Sequence, residues 1–180
     1  MAAGVNIYIA LFRGINVGGK NVLPMKELVG ILAGMGYEDV SSYIQSGNVV
    51  FRSKTKCSNK TASEIGAKIQ VSHGFVPKVL LLQVSELEAA IENNPFDNSK
   101  GKILHFFFLD SVPEEPDLDS LKAIKFKTEK YELINKVFYL YAPDGIGRSK
   151  LVAKVEKAMG VPVTARNWNT VEKIISMVKK

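Results

Sequence analysis

Cysteine, histidine and tryptophan are scarce in this chain, and their scarcity excludes several kinds of site. One cysteine among 180 residues cannot form an internal disulfide, and neither of the two histidines has a partner at a metal-ligand spacing. Cys57 stands in a polar, basic segment, which favours an unreactive thiol over a nucleophile. No Ser-His-Asp arrangement and no pair of carboxylates accompanies the polar motifs. The sequence therefore predicts no metal and no cofactor, and the catalytic residues, if any, stay unknown.

Long apolar stretches are missing as well. No run reaches the roughly eighteen apolar residues of a membrane span, and the N-terminus lacks the pattern of a secretion signal. The net charge is +6, and its basic residues are spread along the chain, which is only a weak sign of a nucleic-acid binder. We expect a cytoplasmic protein without a membrane partner.

The chain does contain an order of secondary structure that repeats. Apolar periodicity, capping sequences and glycine stops predict strand, helix, strand, strand, helix, strand and helix in each half. The elements of the first half are a strand (Val5–Phe12), a helix (Met25–Met35), two strands (Val40–Ile44, Val49–Arg52), a helix opened by a capping box (Thr61–Glu64), a strand (Pro77–Gln83) and a helix capped at Ser85–Glu88. Those of the second half are a strand (Ile103–Leu109), a helix (Leu118–Lys125), two strands (Tyr131–Ile134, Val137–Tyr141), a helix (Ser149–Met159), a strand (Val161–Ala165) and a helix capped at Asn169–Glu172.

This order predicts an α+β fold, a tandem duplication of two ferredoxin-like subdomains, each βαββαβ plus an extra helix. Residues 1–95 form the first subdomain and residues 101–180 the second, joined near 93–101, where turn-forming residues accumulate. The second helix of each half ends in glycine shortly before Val-Pro, at Gly74 and Gly160, as a diverged internal repeat would.

The most informative motif is the loop Arg13–Asn21, which directly follows the first strand. Its glycines permit positive φ and the close approach of a ligand, while Arg13 and Lys20 supply positive charge. The predicted topology places this loop beside the hairpin turn Gln45–Asn48. The ligand-binding candidates of this half are Arg13, Gly14, Asn16, Gly18, Gly19, Lys20, Asn21, Gln45, Ser46 and Asn48. A structural turn with solvated cations is the competing interpretation.

A second set of candidates lies in the other half. A helix that began at Ser149 would carry Arg148 and Lys150 at its positive end, where a bound anion would compensate for the unfavourable cations. Trp168 is interpreted as a packing anchor or as a stacking face for a base or sugar. The candidates of this half are Gly145, Gly147, Arg148, Lys150, Arg166, Asn167 and Trp168. If the two subdomains pack in opposite senses, both sets line one cleft.

Two better-known sites are imitated by parts of the chain. Gly14–Lys20 satisfies the spacing of a P-loop, but Asn21 replaces the hydroxyl that coordinates magnesium, and Pro24 delays the helix that should meet the phosphates. The βαββαβ order is also that of RNA-recognition modules, which stack bases on strand aromatics. Here the aromatic strands of the second half are interpreted as core packing in preference to base stacking.

Four segments, RGINVGGKN, SSYIQSGNVVF, DGIGRSKL and TARNWNTVEKI, together resemble the family catalogued as domain of unknown function 1697, widespread in bacteria. The resemblance extends from about Asn6 to Ile175 and implies the duplicated α+β fold. It implies no activity and no catalytic residues.

We expect a protein that binds an anionic, phosphate-bearing ligand, either a nucleotide-like metabolite or a single-stranded nucleic acid. An enzyme of unrecognised type acting on a phosphorylated small molecule is an alternative, and a protein-interaction scaffold is another. The sequence leaves the ligand, any reaction and the oligomeric state open.

Overall fold

Two four-stranded antiparallel sheets and six α-helices make up residues 4–180, the part of the chain that the computed structural model describes. The elements of the first sheet and its helices are β1 (Asn6–Arg13), α1 (Met25–Gly34), β2 (Glu38–Tyr43), β3 (Asn48–Ser53), α2 (Asn59–His73), β4 (Lys78–Gln83) and α3 (Val84–Glu92). The strand order is β2-β3-β1-β4, so β1 is central and antiparallel to both neighbours.

The second sheet has the corresponding order. Its elements are β5 (Leu104–Leu109), α4 (Leu118–Ile124), β6 (Lys130–Ile134), β7 (Val137–Tyr141), α5 (Val155–Met159), β8 (Val163–Asn167) and α6 (Trp168–Val178). The strands lie in the order β6-β7-β5-β8, with β5 antiparallel to β7 and β8. The fold class is therefore α+β, and each predicted strand and helix is present, although several ends differ.

Two compact units divide the chain. The first contains the residues up to Glu88 together with Lys173–Lys180, and the second contains Ala89–Glu172. The predicted subdomain boundaries at residues 95 and 101 differ from this division and stay a prediction. No helix within residues 4–180 is long and apolar enough to cross a membrane.

Helices α1 and α2 cover one face of the first sheet. Alternate residues of β1 point to this face, where they join buried side chains of both helices in one apolar cluster. Its members include Tyr8, Ala10 and Phe12 of β1, Leu28 and Leu32 of α1, and Ile65 and Ile69 of α2. A corresponding cluster in the second unit joins Phe107 and Leu109 of β5 to Leu121 of α4 and Val155 of α5.

The central strands are buried on both faces. Ile9 and Leu11 of β1 point away from the helix-covered face, yet they are 0% and 1% exposed. All six residues of β5 are buried as well. Burial on both faces explains why these strands read as continuous apolar runs in the sequence instead of alternating apolar and polar residues.

Three helices begin at other residues than their capping sequences predict. Helix α2 begins at Asn59 because Ser58 and Thr61 form the capping box, three residues before the predicted one. Helix α3 begins at Val84, and the Gln83 amide donates to Glu86 Oε2 at 2.8 Å. Helix α6 begins at Trp168 and is capped by Asn167. Near each of these helix starts, more than one polar residue fits the sequence pattern of an N-cap, so the pattern alone does not identify the first residue of the helix.

The predicted helix Ser149–Met159 is wrong over its first half. A short 3₁₀ turn covers Ile146–Arg148, and α5 begins only at Val155. Ser149 Oγ accepts a hydrogen bond from the Leu151 amide at 3.2 Å, a local side-chain contact that competes with a helical start. Strand β8 likewise begins at Val163, two residues later than predicted, because Pro162 has no amide hydrogen to donate to the sheet.

Candidate functional site

The glycine loop folds into a small hairpin of its own. Val17 and Lys20 form an isolated β-bridge, and the Lys20 amide donates to the Val17 carbonyl at 3.0 Å. The two central residues, Gly18 and Gly19, have φ of 58° and 72°. Positive φ at both central positions is the requirement of a type I′ turn, which glycine meets without steric cost.

Asparagine side chains hold this loop in place. Asn16 Nδ2 donates to the carbonyls of Leu23 and Gln45, each at 2.9 Å, and the Leu23 amide donates to Asn16 Oδ1 at 2.8 Å. Asn21 Nδ2 donates to the Gly14 carbonyl at 2.8 Å. Both asparagines have positive φ, a conformation that Asn tolerates better than most residues. The loop is thus closed on itself and attached to the turn between β2 and β3.

The turn between β2 and β3 fits closely against the loop. The Phe12 amide donates to the Gly47 carbonyl at 2.8 Å, and Gly47 has a φ of 85°. A Cβ at residue 47 would stand 2.6 Å from both Ile15 Cδ1 and Phe12 Cβ, so only glycine fits. Asn48 is 1% exposed, and its Nδ2 donates to the Tyr43 carbonyl at 2.9 Å and to Ser46 Oγ at 3.1 Å.

The structure therefore brings the candidates of the first half together in one surface, here called the loop–hairpin surface (residues 13–21 and 44–48). Its solvent-exposed candidates are Gly14, Gly18, Gly19, Lys20, Asn21, Gln45 and Ser46, while Arg13 and Asn16 are half-buried and Asn48 is buried. The amides of Asn16, Asn21 and Asn48 already bond the protein itself. Their observed role is to shape the surface, and ligand contact by any of these residues stays a prediction.

Apolar residues that the sequence did not single out share this surface. Val17 is 68% exposed and Ile44 48%, and Val22 lies just beyond the loop with 59% exposure. Ile44 also has a φ of 51°, a left-handed conformation that is unusual for a β-branched residue. The exposure of these side chains is visible only in the structure, because valine and isoleucine in a sequence normally indicate core residues.

The segment Asp144–Lys150 forms a polar loop of the second unit. Lys150 Nζ lies 5.8 Å from the centroid of the Phe126 ring, and Thr128 Oγ1 donates to Asp144 Oδ2. The interpretation of Arg148 and Lys150 as cations beside a helix N-terminus is wrong, because no α-helix begins at Ser149. Both cations are exposed, and ligand contact by Gly145, Gly147, Arg148 and Lys150 stays a prediction.

The segment Arg166–Trp168 has structural contacts in the second unit. Arg166 is 9% exposed, its Nη1 donates to the Ala165 carbonyl at 2.8 Å, and burial lowers its pKa to about 10. Asn167 Oδ1 accepts from the Thr170 amide at 3.0 Å as the cap of α6. Trp168 is 9% exposed, and its ring centroid lies 5.7 Å from the ring centroid of Phe106. Ligand binding by these three residues stays a prediction.

The aromatic strands of the second sheet are core. Phe106, Phe107, Phe108, Phe138 and Tyr139 are each 3% exposed or less. The interpretation as core packing is confirmed for these five residues, whose rings are not available for base stacking, whereas Tyr141 is half-buried. The Tyr139 hydroxyl donates to the Ala90 carbonyl at 2.6 Å, and burial raises its pKa to about 12.

The structure also bears on the P-loop and on titratable groups. Antiparallel sheets replace the parallel sheet of P-loop proteins, and α1 begins at Met25, after Pro24.

Within residues 4–180, no group of three or more His, Cys, Asp or Glu side chains could hold a metal ion. Burial lowers the pKa of His105 from 6.5 to about 4, so its imidazole is neutral at physiological pH.

The fold and the loop–hairpin surface define a class: an α+β protein of two units, each with a four-stranded antiparallel sheet, with an ordered glycine loop after its first strand. The chain belongs to the family described as protein of unknown function (DUF1697), which matches residues 5–139. This match includes the whole loop–hairpin surface and confirms the family resemblance seen in the sequence.

The chain is similar over almost its whole length to a solved structure. The conserved bacterial protein SP0830 from Streptococcus pneumoniae shares 29% sequence identity, with 97% of this chain and 99% of that chain covered and a TM-score of 0.71. A comparison with curated proteins finds no match.

Proposed function

We propose that this protein binds an anionic, phosphate-bearing ligand at the loop–hairpin surface of its first unit. The observation that carries the proposal is an exposed Gly18-Gly19 turn, followed by the exposed Lys20, on a loop that Asn16 and Asn21 hold in one conformation. A loop ordered before binding loses little conformational entropy when a ligand arrives.

The charge of the surface supports an anion. Arg13 and Lys20 are its ionisable residues, and neither 13–21 nor 44–48 contains an aspartate or glutamate. Glycine permits the ligand to approach the backbone closely, so that amide N–H groups can donate to phosphate oxygens beside the lysine ammonium. A phosphate oxygen held in this way receives charge-assisted hydrogen bonds, each worth roughly 1.5–3 kcal/mol.

The ligand is a nucleotide-like metabolite or a single-stranded nucleic acid. Burial of the second-sheet aromatics removes the base-stacking strands that a nucleic-acid binder would use, which favours the metabolite. The two classes differ in salt dependence, because a nucleic acid releases counterions and loses affinity steeply as salt rises.

Selective ¹⁵N-glycine labelling tests the proposal. Inorganic phosphate, pyrophosphate, nucleotides and a short oligonucleotide are titrated in turn, while the amide resonances of Gly18 and Gly19 are followed at low and moderate salt. We expect saturable shifts at these two glycines with at least one phosphate compound. Lys20→Ala should weaken that binding by at least about tenfold, the lower bound for one charge-assisted contact.

A matched control separates local contact from net charge. Lys68 is exposed near the middle of α2, so Lys68→Ala removes the same charge from a residue outside the loop–hairpin surface. The Lys68→Ala variant should bind the phosphate compound with the same affinity as the unaltered protein. Equal weakening by both variants, or glycine amides that do not move with any phosphate compound, would contradict the proposal.

The exposed apolar residues favour a second candidate, a protein-interaction scaffold. Val17, Val22 and Ile44 would supply apolar contact area at the same end of the first unit. A Val17→Ser variant should then lose partner binding while its phosphate response is unchanged. An enzyme acting on a phosphorylated small molecule would need a carboxylate or histidine brought to the surface by another part of the chain.

We further propose that each unit is ferredoxin-like and that the chain arose by duplication. The equivalent strand orders of the two sheets support this, as does the shared order of strands and helices. The protein is proposed to work in the bacterial cytoplasm, where its free thiol Cys57 would stay reduced.

A further inference from the structure

A cavity of about 430 Å³ lies in the first unit, on the sheet face opposite α1 and α2. Ile7 of β1 and Val50 of β3 form its apolar floor, and the strand β2 forms one wall. Residues of the segment Lys173–Lys180, which belongs to the first unit, line the cavity as well. Its volume falls within the range of small-molecule sites in proteins.

The wall has an irregularity that aims a charged side chain. The register of β2 against β3 shifts between Glu38 and Ser41, and Asp39 within this bulge has a φ of 48°. Bulges re-aim side chains, and a non-glycine residue at positive φ is uncommon. The Asp39 carboxylate here meets Arg52 of β3, with Oδ2 3.1 Å from Arg52 Nε.

Positive charge predominates around the cavity. Lys173 Nζ lies 5.8 Å from the centroid of the Tyr43 ring, and Lys180 also lines the space. Lys173 and Met177 are four residues apart, so α6 presents both on one face. Three cationic side chains, Arg52, Lys173 and Lys180, therefore line the cavity together with one carboxylate side chain, that of Asp39.

We propose that this cavity binds a small organic anion with a flat apolar body, of the class of the aromatic carboxylates. The carboxylate of the ligand contacts Arg52 and Lys173, and the apolar body of the ligand lies on Ile7, Val50 and Met177. An apolar site with a few convergent polar groups is the usual composition of a small-molecule pocket. The site is separate from the loop–hairpin surface and does not depend on the function proposed there.

Binding is tested with naphthoate, an aromatic carboxylate, and with naphthamide, its uncharged counterpart. Heteronuclear NMR of the intact protein follows the backbone amides of Ser41, Ser42 and Tyr43 during each titration. We expect saturable shifts with naphthoate and at least tenfold weaker binding of naphthamide, because an uncharged amide gains little from the cations. Equal affinities, or shifts outside the cavity only, would overturn the proposal.

Three variants at exposed positions test the charged groups. Lys173→Met keeps the apolar stem and removes the ammonium, so naphthoate binding should weaken by about three- to tenfold. Lys179→Met removes the same charge directly after α6 but outside the cavity lining, and this variant should bind naphthoate as the unaltered protein does. Asp39→Asn suits positive φ and removes the negative charge that competes for Arg52, so it should tighten naphthoate binding by about two- to fivefold. Weakening by Lys179→Met equal to that by Lys173→Met, or weakening by Asp39→Asn, would also overturn it.

Discussion

Replacing Asn16 by alanine is expected to destabilise the glycine loop by about 2.5–4 kcal/mol. The substitution removes all three hydrogen bonds of the side chain, to the Leu23 carbonyl, the Leu23 amide and the Gln45 carbonyl. Each such bond contributes roughly 0.5–1.5 kcal/mol, with the lower values applying to half-exposed groups. Alanine at the Asn16 φ of 53° adds a further cost of about 1 kcal/mol.

Two companion variants separate the contributions. Asn16→Gly removes the same hydrogen bonds but accepts the positive φ, so its loss should be smaller than that of alanine. Asn21→Ala removes one hydrogen bond, to the Gly14 carbonyl, at a φ of 51°. Its loss should be about 1.5–2 kcal/mol and confined to the glycine loop.

Native-state hydrogen exchange measures where the stability is lost. In Asn16→Ala, amides in residues 13–24 and in residues 44–48 should both exchange faster, because the Asn16–Gln45 contact joins the two segments. Urea unfolding followed by circular dichroism gives the global change. Acceleration of residues 13–24 alone, or a loss below about 1 kcal/mol, would refute the reasoning that this side chain couples the loop to the hairpin.

Two further predictions concern packing and protonation. Gly47→Ala should cost at least about 3 kcal/mol in urea unfolding, because its Cβ would stand 2.6 Å from Phe12 and Ile15. Gly14→Ala is the control, with a φ of 81° but no atom within 4 Å of the added Cβ, and comparable losses would contradict the packing argument. Burial lowers the pKa of His105 from 6.5 to about 4. As the pH falls, His105 is therefore protonated in the unfolded chain before it is protonated in the folded protein. Up to about 3 kcal/mol of the free energy of unfolding is lost between pH 6.5 and pH 4. His105→Leu should remove this part of the pH dependence in acid unfolding, and a parallel decline in both proteins would argue against it.

The order of elements could be predicted from the sequence, whereas the starts of helices could not. Strands such as β5 are apolar throughout because both faces are buried, and this strong pattern identifies them. Helix starts depend on which of several polar residues caps the backbone. Ser58 and Thr61 were both suitable for α2, and the choice between them depends on contacts that a sequence does not show.

The proximity of the two segments of the loop–hairpin surface was predicted, but their contacts were not. Topology alone indicated that the glycine loop meets the turn between β2 and β3, as the contact between Asn16 and Gln45 shows. The side-chain amides of Asn16 and Asn48 bond backbone carbonyls of the protein, which could not be predicted from the sequence. A side-chain amide can hydrogen-bond a ligand or the backbone equally well. The same limit applies to Asp39, whose direction depends on a bulge that no sequence pattern marks.

The segments after the two central strands have opposite character, which allows a last test. After β1 the chain reads RGINVGGKN, with glycines and cations, whereas after β5 it reads DSVPEEPD, with carboxylates and prolines and no glycine. Equivalent positions in similar sheets thus favour an anion in the first unit and disfavour one in the second. We therefore expect a phosphate titration to shift the amides of Gly18 and Gly19, while those of Ser111 and Val112 after β5 stay unmoved. Shifts of similar size in both segments would remove this distinction between the two units.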